Sequence, residues 1–377
     1  MRLFEVKLKL ESPMILTSRR TERGFLSPLN VIPGMTIRGA MISMFHHLGL
    51  LDENQLKNEA ESPTVIASPG YPVINGRRSY PCHVFAYKCK IPHEEGPKTG
   101  VERKIYIAEV FEELKSGSEP KFKMTCSQGH AALETIHPKP VIPEGDAFIE
   151  VGLTHEHIVC VGMSRHRATA QRQLLYEYEA IAAGQEFWFR IGLPEELADE
   201  LRHATMLYIG RGISRGFGRA RIAETLETDL DDLSETIHQA CENNSCIILY
   251  ALSNLASIRN SRYSPYPREI DLGNIAAKFE LNASGKLLIQ KAYGKHMATP
   301  LGWDMIRNVR RPTLEYALSP GSILVSKLVG GKNWEIGLAA LSYIGSIEML
   351  QLHSGDVMPI TGVNILEPIM MNPMKGE

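Results

Sequence analysis

Six cysteines among 377 residues are too few and too scattered for a disulfide framework. They are read as thiols or as metal ligands. No apolar run approaches the roughly 20 residues that cross a bilayer. The opening segment, Met1 to Val6, alternates apolar and charged residues, which is a strand pattern and not a signal peptide. A cytoplasmic location without membrane contact is the expectation. Charge of one sign is missing as well: 41 Lys and Arg stand against 43 Asp and Glu, a net charge of −2. A surface for a polyanion must therefore be a local patch. No Ser/His/Asp arrangement or paired-carboxylate motif stands out.

What is present suits a soluble globular chain, with 44% hydrophobic and 22% charged residues. The length predicts two domains. Leu3 to Leu10 alternates as a half-buried strand, and Thr17 to Gly24 reads as a polar loop. Ile32-Pro33-Gly34 is a turn, after which Thr36 is placed to cap a helix reaching about Leu50. From about 61 to 145 the pattern breaks into Pro, Gly and charge, which predicts a long insertion. Strands are expected at Ala147–Leu153, within Ala170–Ile181, at Gln185–Ile191 and at Arg219–Thr225. A helix is expected over Pro194–Tyr208, and another over Asp229–Cys241. Beyond it come strands at Cys246–Leu252, Ala277–Leu281, Lys286–Ala292, Ile323–Leu328 and Thr361–Ile365, with a helix at Gly337–Ile344. The class is α+β, with helices on one face of antiparallel sheets. The divisions are a first domain over 1–224, a linking helix over 225–244 and a second domain over 245–377.

The most informative segment runs from Tyr208 to Arg221. Gly210, Gly212, Gly216 and Gly218 alternate there with Arg211, Arg215, Arg219 and Arg221, and no acid interrupts them. Glycines admit left-handed backbone and close approach of a polyanion. Arginines supply bidentate contacts to phosphate, and Phe217 offers a ring on which a base can stack. There is no Gly-Lys-Ser/Thr ending, and Arg215 stands where a dinucleotide fingerprint would need glycine. The bland alternative is a glycine-rich surface hairpin.

The run Gly210-x-Gly212-x-Ser214-Arg215-Gly216-Phe217-Gly218-Arg219 resembles the glycine-rich loop of the RAMP superfamily of CRISPR proteins. Ile32-Pro33-Gly34 leading into Arg38-Gly39 resembles a second RAMP signature, in which the Arg-Gly pair lies close to bound RNA. Met163 to Ala170, with Arg165, His166 and Arg167, then Gln173 to Glu179 and Gly184 to Phe187, resembles the larger RAMP subunit of type III-D systems. That subunit is related to the group holding the 5′ handle of the guide. The resemblance implies two ferredoxin-like (RRM-like) domains, the first carrying the insertion. In the degenerate second, Tyr343-Ile344-Gly345-Ser346 lacks the arginines. It implies a non-catalytic subunit that binds crRNA alongside other effector subunits in antiviral defence. The implied RNA-binding set is Arg38, Arg165, His166, Arg167, Gly210, Arg211, Gly212, Ser214, Arg215, Gly216, Phe217, Gly218 and Arg219.

Two alternatives stay open. A guide-processing endoribonuclease of the same superfamily would need a general base, for which His46, His47 and His166 are candidates. A purely structural subunit would turn its arginines to acidic protein partners. Some type III backbone subunits cut target RNA through an aspartate on an early loop, and 17–31 contains none. Arg19, Arg20 and Arg23, and again Arg307, Arg310 and Arg311, form further basic groups that also read as solvated faces. No cofactor is required. A structural zinc is a candidate, with Cys82, Cys89, Cys126 and His130 as ligands and His83 or His137 as substitutes, against the alternative of buried or free thiols.

Overall fold

The computed structural model describes residues 1–21, 24–91, 103–104, 107–120, 125–126, 129–144, 147–163, 166, 170–241, 246–259, 262–304, 308–351 and 357–375. Its first strand, Arg2–Leu10, buries Phe4, Val6, Leu8 and Leu10 on one face, as the alternation demands. This strand is central. Glu186–Leu193 pairs with one side of it and Arg219–Thr228 with the other, both antiparallel. Ile66–Ala67 and Tyr71–Ile74 continue the sheet beyond Glu186–Leu193, and Met206–Tyr208 continues it beyond Arg219–Thr228. Helices Gly34–His47 and Glu195–Leu201 cover the apolar face. Ile37, Met41, Phe45, Leu197 and Leu201 join Phe4 and Phe189 in one core.

A second sheet repeats this order. Cys246–Ala251 pairs with Ile323–Val329 and with Leu366–Pro368, and Ile323–Val329 pairs with Lys286–Tyr293, all antiparallel. Helices Leu272–Ala276 and Trp334–Ile344 fall between the strands in the same sequence as in the first sheet. In both sheets the fourth strand lies beside the first, then the third, then the second. Helix Leu230–Cys241 packs into the second core through Ile237 and Cys241.

The sheets share a core in which Tyr71 and Trp188 meet Ile248, Tyr250 and Val325. Tyr71 Oη donates to the Leu252 carbonyl at 2.6 Å. Arg190 is held between Glu5 at 3.3 Å and Glu367 at 2.6 Å, which pins the first sheet to the last strand of the second.

Several elements differ from the sequence expectation. The polar stretch Thr17–Gly24 is not a loop: Thr17–Thr21 pairs with Gly24–Pro28 as a hairpin. The insertion begins later than 61, because Ile66–Ala67 and Tyr71–Ile74 are strands of the first sheet. Its helix Ile107–Lys115 buries Val110 and Leu114 in the shared core. The helix expected to reach Tyr208 ends at Leu201, because Met206–Tyr208 takes its backbone bonds from Arg219–Arg221. Ala277–Leu281 is not a strand. Helix Leu272–Ala276, capped by Asp271 accepting from the Asn274 amide at 3.1 Å, runs into a tight turn at Ala277–Phe279. Pro33, not Thr36, occupies the N-cap of Gly34–His47. Strand His155–Met163, which lies outside every expected element, pairs antiparallel with Ala170–Ile181, continuously from Ile181 to Leu175 and again at Ala170 after an irregularity.

Candidate nucleic-acid interface

The glycine-rich segment joins Met206–Tyr208 to Arg219–Thr228 at one end of the first sheet. Gly210, Gly212, Gly216 and Gly218 all have positive φ, from 73° to 90°. The chain between them makes a single tight turn, Ile213–Arg215. The loop is tied down by its backbone. Ile209 donates to Gly218 at 2.8 Å, Gly218 to Pro13 at 2.8 Å, and Arg211 to Ile15 at 3.1 Å. A side chain at Gly210 would meet the Ile15 carbonyl at 2.7 Å. Gly210 therefore lets the loop lie against the exit of the first strand, a close approach that a Cβ would block.

Three segments meet here. Met14 bridges Ile181, Ile15 bridges Arg211, and Arg215 reaches Tyr178 on the strand Ala170–Ile181. Arg215 Nη1 donates to Tyr178 Oη at 2.6 Å, and its guanidinium lies over the Tyr178 ring, 5.0 Å from the centroid. Tyr176 packs edge-on to Tyr178 at 5.4 Å. Arg211, Ser214 and Arg215 are exposed. Arg219 bonds Glu11 at 2.8 Å, and Arg221 approaches the same carboxylate at 3.7 Å. One acid thus serves two arginines.

No family model matches the chain, and no curated relative does. Among solved structures, it is similar to a chain of the type III-B Cmr-beta complex bound to cognate target RNA. The identity is 12% and the TM-score 0.46, over 85% of this chain and 86% of that one. The Csm3-Csm4 subcomplex of the type III-A CRISPR-Cas interference complex aligns at 13% identity and a TM-score of 0.40, over 98% and 99%. A Cas6 product complex aligns at 11% identity and 0.33, over 91% and 90%. The chain is similar to subunits of type III CRISPR complexes.

The remaining expected site residues divide sharply. Arg38 is not on the surface. It is 8% exposed, and its guanidinium donates to the Val65 carbonyl at 2.8 Å, the Glu59 carbonyl at 2.7 Å and the Glu59 carboxylate at 2.8 Å. That group is spent on joining the first helix to the turn before Ile66, so it is a fold anchor and not part of an RNA track. Arg38→Ala strands the buried Glu59 charge, and a loss of about 3–5 kcal/mol is expected in urea unfolding. A paired Arg38→Met, Glu59→Leu variant should lose less, because no buried charge is left alone.

Phe217 is half-buried against Tyr178, 6.0 Å between centroids, and sits over Gly212, whose Cβ would meet its ring at 2.9 Å. It anchors the loop and is not an open stacking face. Tyr176 and Tyr178 were missed as site residues, although their alternation on a strand was visible. His166 lies exposed at the turn between His155–Met163 and Ala170–Ile181. Arg165, Arg167, Arg23 and Arg307 lie outside the described residues. Arg311 is no solvated cation but is buried, donating to Asp304 at 3.3 Å and to the Pro359 carbonyl at 3.2 Å. His46 and His47 engage helix-end carbonyls through Nδ1, with Leu51 at 2.7 Å and Ser43 at 2.6 Å.

The four expected metal ligands do not converge. Cys89, Cys126 and His130 come together, with their donor atoms all within 4.8 Å of one another. Cys82 is elsewhere, buried in the shared core, where burial pushes its thiol pKa up. His83 and His137 are buried as well.

Proposed function

We propose that this chain is a non-catalytic subunit of a type III CRISPR effector complex that grips the guide RNA through its glycine-arginine loop. Two ferredoxin-like halves carry it, divided near the helix Leu230–Cys241. The repeated strand order of the two sheets supports that division. The observation that carries the reading is the loop itself: exposed Arg211 and Arg215 on a turn that four left-handed glycines hold against the first sheet. Such a turn presents cations on a rigid element, which suits a phosphate backbone better than a mobile tail would. The loop motif and the Ile32-Pro33-Gly34 turn, which resemble RAMP signatures, support the same assignment. The partners are then crRNA and neighbouring effector subunits, and the role lies in antiviral defence. Among the described residues no helix is long and apolar enough to cross a membrane.

The test is binding of a single-stranded guide carrying its repeat-derived 5′ end, against a scrambled control, across a salt series. Each phosphate contact contributes about 0.7 to the slope of log affinity on log salt for single strands. Arg211→Ala with Arg215→Ala should therefore lower the slope by about 1.4 and weaken binding at least tenfold. An unchanged slope and affinity would refute the loop assignment. Discrete cleavage of the RNA, abolished by substituting one histidine, would replace this reading with an endoribonuclease. No binding at any salt would leave a structural subunit whose arginines face protein.

A further inference from the structure

We propose that Cys89, Cys126 and His130 hold one zinc ion within the insertion. Cys89 ends the strand Ala86–Cys89, and Leu133 of the strand Leu133–Thr135 lies opposite it. Lys90 donates to the Ala132 carbonyl at 2.8 Å, which extends that ladder toward His130. The other two ligands belong to a tight turn. Cys126 donates its amide to the His130 carbonyl at 2.9 Å, and Gly129, at φ 81°, donates to the Cys126 carbonyl at 3.0 Å. The ladder and the turn together set all three donors before any metal arrives.

The spacing suits tetrahedral zinc. Bond lengths of about 2.3 Å to sulfur and about 2.05 Å to nitrogen put the two donors about 3.6 Å apart at a tetrahedral angle. Cys89 Sγ stands 3.7 Å from His130 Nδ1. The His130 amide also points at Cys126 Sγ, 3.2 Å away. An amide directed at sulfur is the outer-shell bond that a ligating thiolate accepts. Sulfur with imidazole selects zinc over calcium or magnesium, whose ligands are oxygens. The described residues supply three of the four donors that tetrahedral zinc takes. On binding, each thiol releases its proton to solvent while the imidazole enters neutral, so about two protons leave per metal. The ion closes the chain between Cys89 and Cys126 into a loop, adding a restraint to the one that Val110 and Leu114 make in the shared core.

The alternative is a trio of side chains that merely pack. Elemental analysis of the purified full-length chain after dialysis separates the two, together with the absorption of its cobalt-substituted form. One zinc per chain and the intense visible bands of tetrahedral cobalt are expected. Cys89→Ser and Cys126→Ser should each lose the metal, His130→Cys should retain it, and Cys241→Ser should leave content and spectrum unchanged. His130→Cys keeps the test sharp if the serine variants fail to fold. A metal-free chain with only weak octahedral cobalt bands would overturn the site. So would equal metal content in Cys89→Ser, Cys126→Ser and the parent.

Discussion

Gly218→Ala is expected to cost about 3 kcal/mol or more and to abolish the glycine-arginine loop proposed to grip RNA, while Gly216→Ala costs about 1–2 kcal/mol and leaves the loop in place. Both glycines have positive φ, 73° and 89°, so both replacements carry the left-handed strain of an L-residue. They differ in what surrounds them. A Cβ at Gly218 would stand 1.9 Å from the Ile209 carbonyl oxygen, whereas one at Gly216 meets nothing within 4 Å. The neighbour at Gly218 is backbone and is pinned, since Ile209 and Gly218 share a 2.8 Å bond and Gly218 also donates to Pro13 at 2.8 Å. Relief requires breaking those bonds, each worth about 1 kcal/mol and more if left buried and unmade. Urea midpoints of both variants, with guide-RNA affinity beside them, check the claim. Equal losses in the two variants would show that φ strain alone, and not the packing against Ile209, governs the loop.

That contrast also marks how far the sequence could be read. The clustering of four glycines and four arginines without an acid announces a tight, positively charged turn. The sequence does not say which glycine is needed for φ and which for a close approach: the atom facing Gly210 is the Ile15 carbonyl, nearly two hundred residues away, and the one facing Gly218 is the Ile209 carbonyl on the other arm of the loop. The same holds for individual side chains. Arg38 belongs to a motif that resembles an RNA-contacting one, yet Glu59 and the Val65 carbonyl take up its guanidinium. Phe217 looks like a stacking platform until Tyr178 is seen to cover it. A residue's type states what it can bond. Its partners, set by the fold, state what it does bond.

The strands and helices follow the same division. Arg2–Leu10, Lys286–Tyr293 and Leu230–Cys241 carry their own period, and the alternation or three-to-four spacing places them within a residue or two. Met206–Tyr208 reads as the tail of a helix and becomes a strand because Arg219–Arg221 offers a ladder. His155–Met163 places Val159, Val161 and Met163 in water, so no polar-out pattern marks it; pairing with Ala170–Ile181 makes it a strand. The cysteine spacing points to a metal set, but Cys82 lies seven residues before Cys89, and the intervening turn carries it into the core between the sheets.

The largest pH effect is expected in that core. His83 and His137 are buried in the region where the insertion meets the second half. His137 Nδ1 donates to the Cys82 carbonyl at 2.7 Å, which fixes the tautomer so that Nε2 accepts from the Ser319 hydroxyl at 2.7 Å. His83 Nδ1 accepts from the Phe85 amide at 3.2 Å, leaving Nε2 protonated and without a protein acceptor among the described residues. Burial, then the nearby His137, pulls the His83 pKa down to about 3. Burial lowers His137 to about 4 against the opposing pull of the Cys82 carbonyl, with Lys295 adding to the fall. Both groups are thus neutral in the folded chain well below the value of about 6.5 at which they titrate when unfolded. Between those limits the unfolded chain binds more protons, so stability rises with pH there. It is fully present above about pH 6.5 and is lost progressively as pH falls toward 4 and then 3. A tenfold change in proton affinity between the folded and unfolded chain corresponds to about 1.4 kcal/mol, so the two histidines together place on the order of several kcal/mol in this window. Urea unfolding at pH 7.5, 6 and 5 should show a steadily falling midpoint. His137→Gln, which keeps a donor and an acceptor but cannot titrate, should flatten the slope while costing some stability at neutral pH. A slope unchanged in that variant and in His83→Gln would place the acid sensitivity elsewhere in the chain.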